Sequence, residues 1–147
     1  NLQGDMPIMN SLDIIKVNTP LYQGFDIGTL VTNISSEEEE EKNITKAKIN
    51  WIKKNDIGEA VDFYKDSRKI INNICHHVGI YSYRYKSLKK FIELKPSDNE
   101  IYYKLEQFRA LDAKMKIGVS YVKSVPLSVD TEEDLIKVEN IIKSKKI

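Results

Sequence analysis

The sequence predicts one α/β domain, and three observations predict it. A length of 147 residues suits a single domain. Several short stretches rich in β-branched and aromatic residues alternate at a period of two, the longest running from His76 to Arg84. Other stretches place apolar residues at helical spacing, as in Ile101, Leu105, Phe108 and Leu111. The composition is 41% hydrophobic and 31% charged with a net charge of +1, which supports a core and carries no signature of nucleic-acid binding. Cys75 is the only cysteine, so no intrachain disulfide can form and a reducing compartment is expected. No apolar run approaches the ~20 residues of a membrane helix. No basic-then-apolar leader opens the chain, and the expected location is the cytoplasm.

In order along the chain, Asn1 to Gln3 reads as the end of a strand and Gly4-Asp5 as the turn out of it. A start so close to a strand's carboxyl end suggests the later part of something longer. Ligands of open α/β sheets sit outside those carboxyl ends, so Asp5 stands where a functional carboxylate would, although Gly-Asp is also a common turn. Ser11 is expected to cap a helix to about Thr19, with Leu12, Ile15 and, as a further candidate, Ile14 inward and Pro20 after it. Phe25 to Asn33 alternates as a strand after Gly24. The five glutamates Glu37 to Glu41 follow two serines, and read as a capped short helix with a solvated face rather than as a metal site.

Ala47 to Lys53 is expected as a strand with Ala47, Ile49 and Trp51 on one face. Residues 55–58 have turn chemistry and Glu59 to Tyr64 returns, giving a small hairpin subdomain over about 44–66. Asp66 to Asn73 is polar and basic, a loop or short helix. The strand from His76 then directs Val78, Ile80 and Ser82 one way and His77, Gly79, Tyr81 and Tyr83 the other. His77 and Tyr81 thus share a face, about 13 Å apart along the strand. Gly79 between them removes a side chain, so this face could be the floor of a pocket or simply a packed sheet face. Ser87 to Leu94 is a short helix, broken by Lys95-Pro96-Ser97. A helix from about Asp98 to Ala113 carries Glu106 and Gln107 in its middle. Met115 to Val122 is a strand and Lys123 to Ser128 a loop. Thr131 with Asp134 resembles a capping box opening the last helix, to about Lys143.

Taken in order, Gln3-Gly4-Asp5 with Pro7, the His76 strand, Pro96-Ser97, the run from Leu105-Glu106-Gln107 to Leu111, and Val129-Asp130-Thr131 to Leu135 resemble the CMP-Kdo synthetases, the 3-deoxy-manno-octulosonate (Kdo) cytidylyltransferases. The resemblance covers nearly the whole chain. It is strongest from His76 to Leu135 and thin from Thr19 to Asn73. It implies a partial Rossmann-like nucleotidyltransferase sheet, the carboxyl-terminal part of an enzyme that transfers CMP from CTP to Kdo and releases pyrophosphate for lipopolysaccharide biosynthesis. It also implies Mg2+ and a homodimer. Residue by residue, Asp5 and Asp130 match the magnesium-binding, catalytic aspartates, and Gln3, His77, Tyr81, Glu106 and Gln107 match positions that face the sugar acid. These residue types suit the chemistry. Carboxylates hold magnesium, which offsets charge on the transferring phosphoryl group. Amide, imidazole, phenol and carboxylate groups meet the hydroxyls of a sugar acid.

The chain departs from the family pattern at Met6, usually an acid, and at Ser128, usually a glycine. It also departs at Tyr64-Lys65, usually Ser-Arg, at Asp98-Asn99 and at Ile101. No Gly-rich phosphate loop is present, and the six glycines are scattered. Two other readings follow: a non-catalytic remnant that binds a sugar acid or dimerises, and a relative of the CMP-sialic acid synthetases.

Overall fold

A computed structural model of the chain describes residues 1–65, 72–129 and 131–144. The expected loop at Asp66 to Asn73 falls largely outside them, and Asp130 lies outside them altogether. Five strands pair in the closed order β1 (Ile27–Thr32), β4 (Ile74–Tyr83), β2 (Lys46–Lys53), β3 (Ile57–Tyr64), β5 (Ile117–Tyr121). Only β1 and β5 run parallel; the other neighbours are antiparallel. Every residue of β1 is buried, because its neighbours cover both faces. The expected alternation there describes which face each residue takes, not whether it is exposed.

The hairpin β2–β3 turns through Asn55, whose φ of +55° is a left-handed value that Asn tolerates. The sequence treats this hairpin as a unit of its own. The structure ties its two outer edges into the rest of the sheet, β2 to β4 at Lys46–Lys48 and β3 to β5 at Ile57–Ala60. One core fills this ring and extends under the helices, from Ile27, Val31, Ile49, Phe63, Ile117 and Val119 to Leu105 and Phe108. A second, smaller cluster of Val17, Leu30, Val78, Ile80 and Val122 is covered by Met6 and Met9.

Two expected helices differ. The first is α1 (Ser11–Lys16), capped by the side chain of Asn10 rather than Ser11, followed by the short α2 (Thr19–Tyr22). Leu12 and Ile15 are exposed, not inward; the chain anchors instead through Val17 at the C-cap and Pro20, both buried. The second is the long helix expected over residues 98–113. It breaks into α5 (Asp98–Tyr103) and α6 (Gln107–Asp112), because Lys104 adopts φ +55° and turns Leu105 into the core. Glu106 and Gln107 therefore begin a helix instead of lying in its middle, and Ile101 is left exposed.

The remaining helices are α3 (Ser36–Glu40), α4 (Tyr85–Glu93) and α7 (Glu132–Ser144). The glutamate run forms α3 with a capping box between Ser35 and Glu38. The expected box at the start of α7 is also present: the Asp134 amide donates to Thr131 Oγ1 and the Thr131 amide to Asp134 Oδ2. Among the described residues no helix is long and apolar enough to cross a membrane.

Gly118 lets α2 sit on the sheet. A β-carbon there would stand 2.4 Å from Pro20 Cβ and 2.5 Å from Phe25 Cγ. Gly118→Ala is expected to cost about 1–3 kcal/mol of stability by overpacking. Gly4→Ala, with no described atom within 4 Å of the added carbon, should cost far less. Urea unfolding of the two variants side by side checks the contrast.

Candidate functional site

The stretch of β4 from His76 to Tyr81 carries the site. Its backbone pairs with β1 on one side, and on the other Asn1 and Tyr81 exchange two hydrogen bonds, at 2.7 and 3.1 Å. Residues 1–3 form no regular strand, yet Asn1 takes a sheet neighbour's place beside Tyr81. The turn that follows places Gln3 and Met6 over Gly79, where an added β-carbon would lie 3.5 Å from Gln3 Oε1 and 3.6 Å from Met6 Cε. The loop before α7 returns to the same turn, and the Val129 amide donates to the Asp5 carbonyl at 2.8 Å.

On the opposite wall, α5 and α6 meet at the left-handed Lys104. Arg109 on α6 forks onto Glu100 on α5, with Nε donating to Oε2 at 2.8 Å and Nη2 to Oε1. Glu100 also accepts from the Ser97 amide in the α5 capping box. The guanidinium holds the Glu100 carboxyl below the usual carboxylate range, with the Ser97 amide adding to it against desolvation. This paired elbow presents Glu106 and Gln107 toward β4. The Gln107 side-chain amide donates to Tyr81 Oη at 2.5 Å.

A cavity of about 500 Å³ opens between these walls. Gln3, Asp5, His77, Tyr81, Glu106 and Gln107 all line it, so the structure brings together six of the seven residues singled out by sequence. The seventh, Asp130, is outside the described residues. Met6, Lys65 and Ser128, visible in the sequence only as departures from a family pattern, line it too. His76 and Lys104 were missed. Lys104 carried no signal, since its place depends on a helix break, and His76 lies on the face of β4 opposite its neighbour.

Three side chains have distinct electrostatic settings. His77 is buried, with Nε2 at 2.9 Å from Thr29 Oγ1 and its ring edge-on to Phe63 at 5.2 Å. Burial, with a smaller push from His76, drives its pKa down to about 3, so the ring is neutral. Burial raises the Tyr81 phenol, which stays protonated. At the rim, His76 Nδ1 meets Glu38 Oε1 at 3.0 Å. The Ser35 amide is the main cause holding Glu38 below its usual range; His76 adds to it.

Asp5 bears on metal binding. Its Oδ1 is buried and has no hydrogen-bond partner among the described residues. A buried carboxylate oxygen left unpaired is costly, and it suits a hard cation that prefers oxygen ligands. Asp5 therefore fits the implied magnesium. Among the described residues, no group of three or more His, Cys, Asp and Glu side chains could hold a metal.

Known proteins resemble the chain in sequence and in fold. Residues 1–117 match the family described as cytidylyltransferase. The 3-deoxy-manno-octulosonate cytidylyltransferase of Bartonella tribocorum is 39% identical over 145 residues, which cover 97% of this chain and 59% of that protein. The protein of the same name from Brucella ovis is 40% identical over 138 residues, covering 92% of this chain and 55% of the relative. Among solved structures, a CMP:2-keto-3-deoxy-manno-octonic acid synthetase complexed with CTP is similar at a TM-score of 0.85 and 28% identity, over 99% of this chain and 61% of that one. An apo-UDP-glucose pyrophosphorylase, 19% identical at a TM-score of 0.58 over 88% of this chain and 47% of its own, shares the fold. The chain thus spans less than two-thirds of the length of these curated relatives.

Two consequences are measurable. The His77 pKa is lower folded than unfolded, so below about 6.5 the unfolded chain binds the extra proton and stability falls as pH drops. The His77 contribution is fully present above that value. It is lost at no more than about 1.4 kcal/mol per pH unit on the way down toward 3. Between pH 6.5 and 5.5, above the range where carboxylates titrate, the slope of unfolding free energy should be shallower in His77→Gln than in the parent chain. Burial also pushes the Cys75 thiol up to about 11. A thiol reagent at pH 8 should label Cys75 only as fast as the chain unfolds, and fast labelling of the folded protein would contradict its placement.

Proposed function

The chain belongs to the cytidylyltransferase family, and we propose that it forms the sugar-acid side and part of the metal site of an enzyme that transfers CMP from CTP to Kdo, releasing pyrophosphate, in lipopolysaccharide biosynthesis. The observation that carries this reading is the single cavity lined by Gln3, Asp5, His77, Tyr81, Glu106 and Gln107. Its chemistry suits a polyhydroxy acid: neutral imidazole, phenol, amide and carboxylate serve hydroxyls, while Lys65 and Lys104 bring positive charge for the acid group. The likeness to Kdo cytidylyltransferases, and to a related synthetase complexed with CTP, supports CTP and Kdo as the substrates.

In this reading the anomeric hydroxyl of Kdo attacks the α-phosphorus of CTP. The new phosphorus–oxygen bond forms as the bond to the bridging oxygen of pyrophosphate breaks, and the hydroxyl proton leaves to water. His77, Tyr81 and Gln107 hold the sugar acid, and that positioning is most of what a phosphoryl-transfer site must do. Asp5, with Asp130, would hold Mg2+. When bound, the ion supplies charge neutralisation at the α-phosphate and the departing pyrophosphate. A cytoplasmic setting fits the single reduced cysteine. A homodimer fits the exposed apolar side chains of Ile92, Ile101 and Tyr102.

Kdo is expected to bind this chain in a calorimeter, with Tyr81→Phe weakening it about tenfold by leaving the Gln107 amide unpaired. In a chain extended to the relatives' length, Asp5→Asn should lower pyrophosphate release from CTP plus Kdo by at least about 100-fold. A folded extended chain that releases no pyrophosphate, with no Kdo binding, would refute the proposal.

A further inference from the structure

Thr29 lies in the middle of β1, fully buried, and nothing in the sequence marks it. Opposite it, β4 carries two extra residues. Thr29 faces Tyr81 and Leu30 faces Val78, so Gly79 and Ile80 have no partner on β1. This irregularity turns two β4 carbonyls toward one hydroxyl. Thr29 Oγ1 stands 2.8 Å from the Ile80 carbonyl oxygen, 3.2 Å from that of Val78, and 2.9 Å from His77 Nε2.

A threonine hydroxyl has one proton to give, and a carbonyl has none. If that proton went to the imidazole, the hydroxyl oxygen would face two carbonyl oxygens lone pair to lone pair in a buried site. The proton therefore goes to a carbonyl, and Ile80 offers the shorter contact. The contact to His77 is then closed from the other side, with Nε2–H donating to Oγ1. A neutral imidazole has one N–H, so Nδ1 keeps a bare lone pair.

We propose that Thr29 is a positioning residue: with the irregularity in β4 it fixes His77 as the Nε2–H tautomer, so that His77 can only accept a hydrogen bond from a ligand hydroxyl in the cavity. What this says of the ligand rests on the sugar-acid reading above; the tautomer does not. Tyr81 is set in the opposite sense. The Gln107 amide already donates to its Oη, which leaves the phenol proton to donate onward. His77 and Tyr81, with ring centroids 5.5 Å apart, thus form an acceptor and a donor side by side. Such a pair favours a sugar hydroxyl at the His77 position over a keto, ether or deoxy carbon, none of which can donate.

Long-range proton–nitrogen correlation NMR on the nitrogen-15-labelled chain at pH 7.5 reads the tautomer directly. There are two histidines, and His76→Gln assigns their signals. The expected spectrum shows His77 Nε2 as pyrrole-type and Nδ1 as pyridine-type. Thr29→Val should move both toward tautomer-averaged positions, and Thr29→Ser should restore the parent pattern, which a merely structural role would not do. A pyrrole-type Nδ1 in the parent chain, or a folded Thr29→Val with an unchanged spectrum, would overturn the proposal; the parent spectrum suffices if that variant does not fold. Titration with Kdo separates the two readings. Affinity about tenfold weaker in Thr29→Val and within twofold in Thr29→Ser supports the positioning role. Equal affinity in all three overturns it. No binding by the parent chain sinks the sugar-acid reading and leaves the tautomer to the NMR result.

Discussion

The bonding of β4 to its neighbours decides where the site lies. The strand is held by β2 along its first three residues and by β1 along the rest, with a shift in register at Gly79 and Ile80. The shift is two residues. A shift of one would send every later side chain to the other face, whereas two restores the original face. His77 and Tyr81 therefore stay on the same side despite the irregularity, and the slack between them is used to aim carbonyls at Thr29. Sheet pairing, hydrogen-bond direction and cavity lining are here consequences of one backbone feature.

The facing wall is built by a different principle. Glu106 and Gln107 sit at the start of α6, at a helix junction whose geometry depends on a left-handed Lys104. A left-handed non-glycine residue is uncommon and needs its surroundings to hold it. The largely buried Glu100–Arg109 fork ties α5 to α6 across the break, with Arg109 also 5.0 Å over the Phe91 ring. Breaking one partner of such a pair strands the other, so the pair restricts the elbow to one arrangement. Gln107 then reaches Tyr81, and the two walls become one hydrogen-bonded unit.

Much of this was legible from sequence wherever local chemistry decides structure. The period-two runs located four of the five described strands, and the turn chemistry located β3 as their hairpin's return, though β3 begins at Ile57 inside the expected turn; the serine cap at Ser35 and the Thr131–Asp134 box stand where their residue types put them. What was not legible came from tertiary packing. The spacing of Ile101, Leu105, Phe108 and Leu111 fits one continuous helix, and nothing local announces that burying Leu105 will break it at Lys104. Leu12 and Ile15 look inward by composition, yet the buried anchors are Val17 and Pro20, outside the regular part of α1. The closure of the sheet by the hairpin was hidden as well, because pairing partners far apart in sequence leave no local trace. For the site, motif order identified the lining residues, while Thr29 and His76 depend on register and so became visible only in three dimensions.

If β4, the Gln3–Asp5 turn and the α5–α6 elbow together enclose one sugar-acid site, a crystal of the chain grown with Kdo and magnesium will show it. The sugar acid is expected over Gly79, with one hydroxyl on His77 Nδ1, another group on the Tyr81 phenol, and an oxygen of Asp5 on the metal. Kdo ordered elsewhere on the protein, or a metal that leaves Asp5 untouched, would rule this site out.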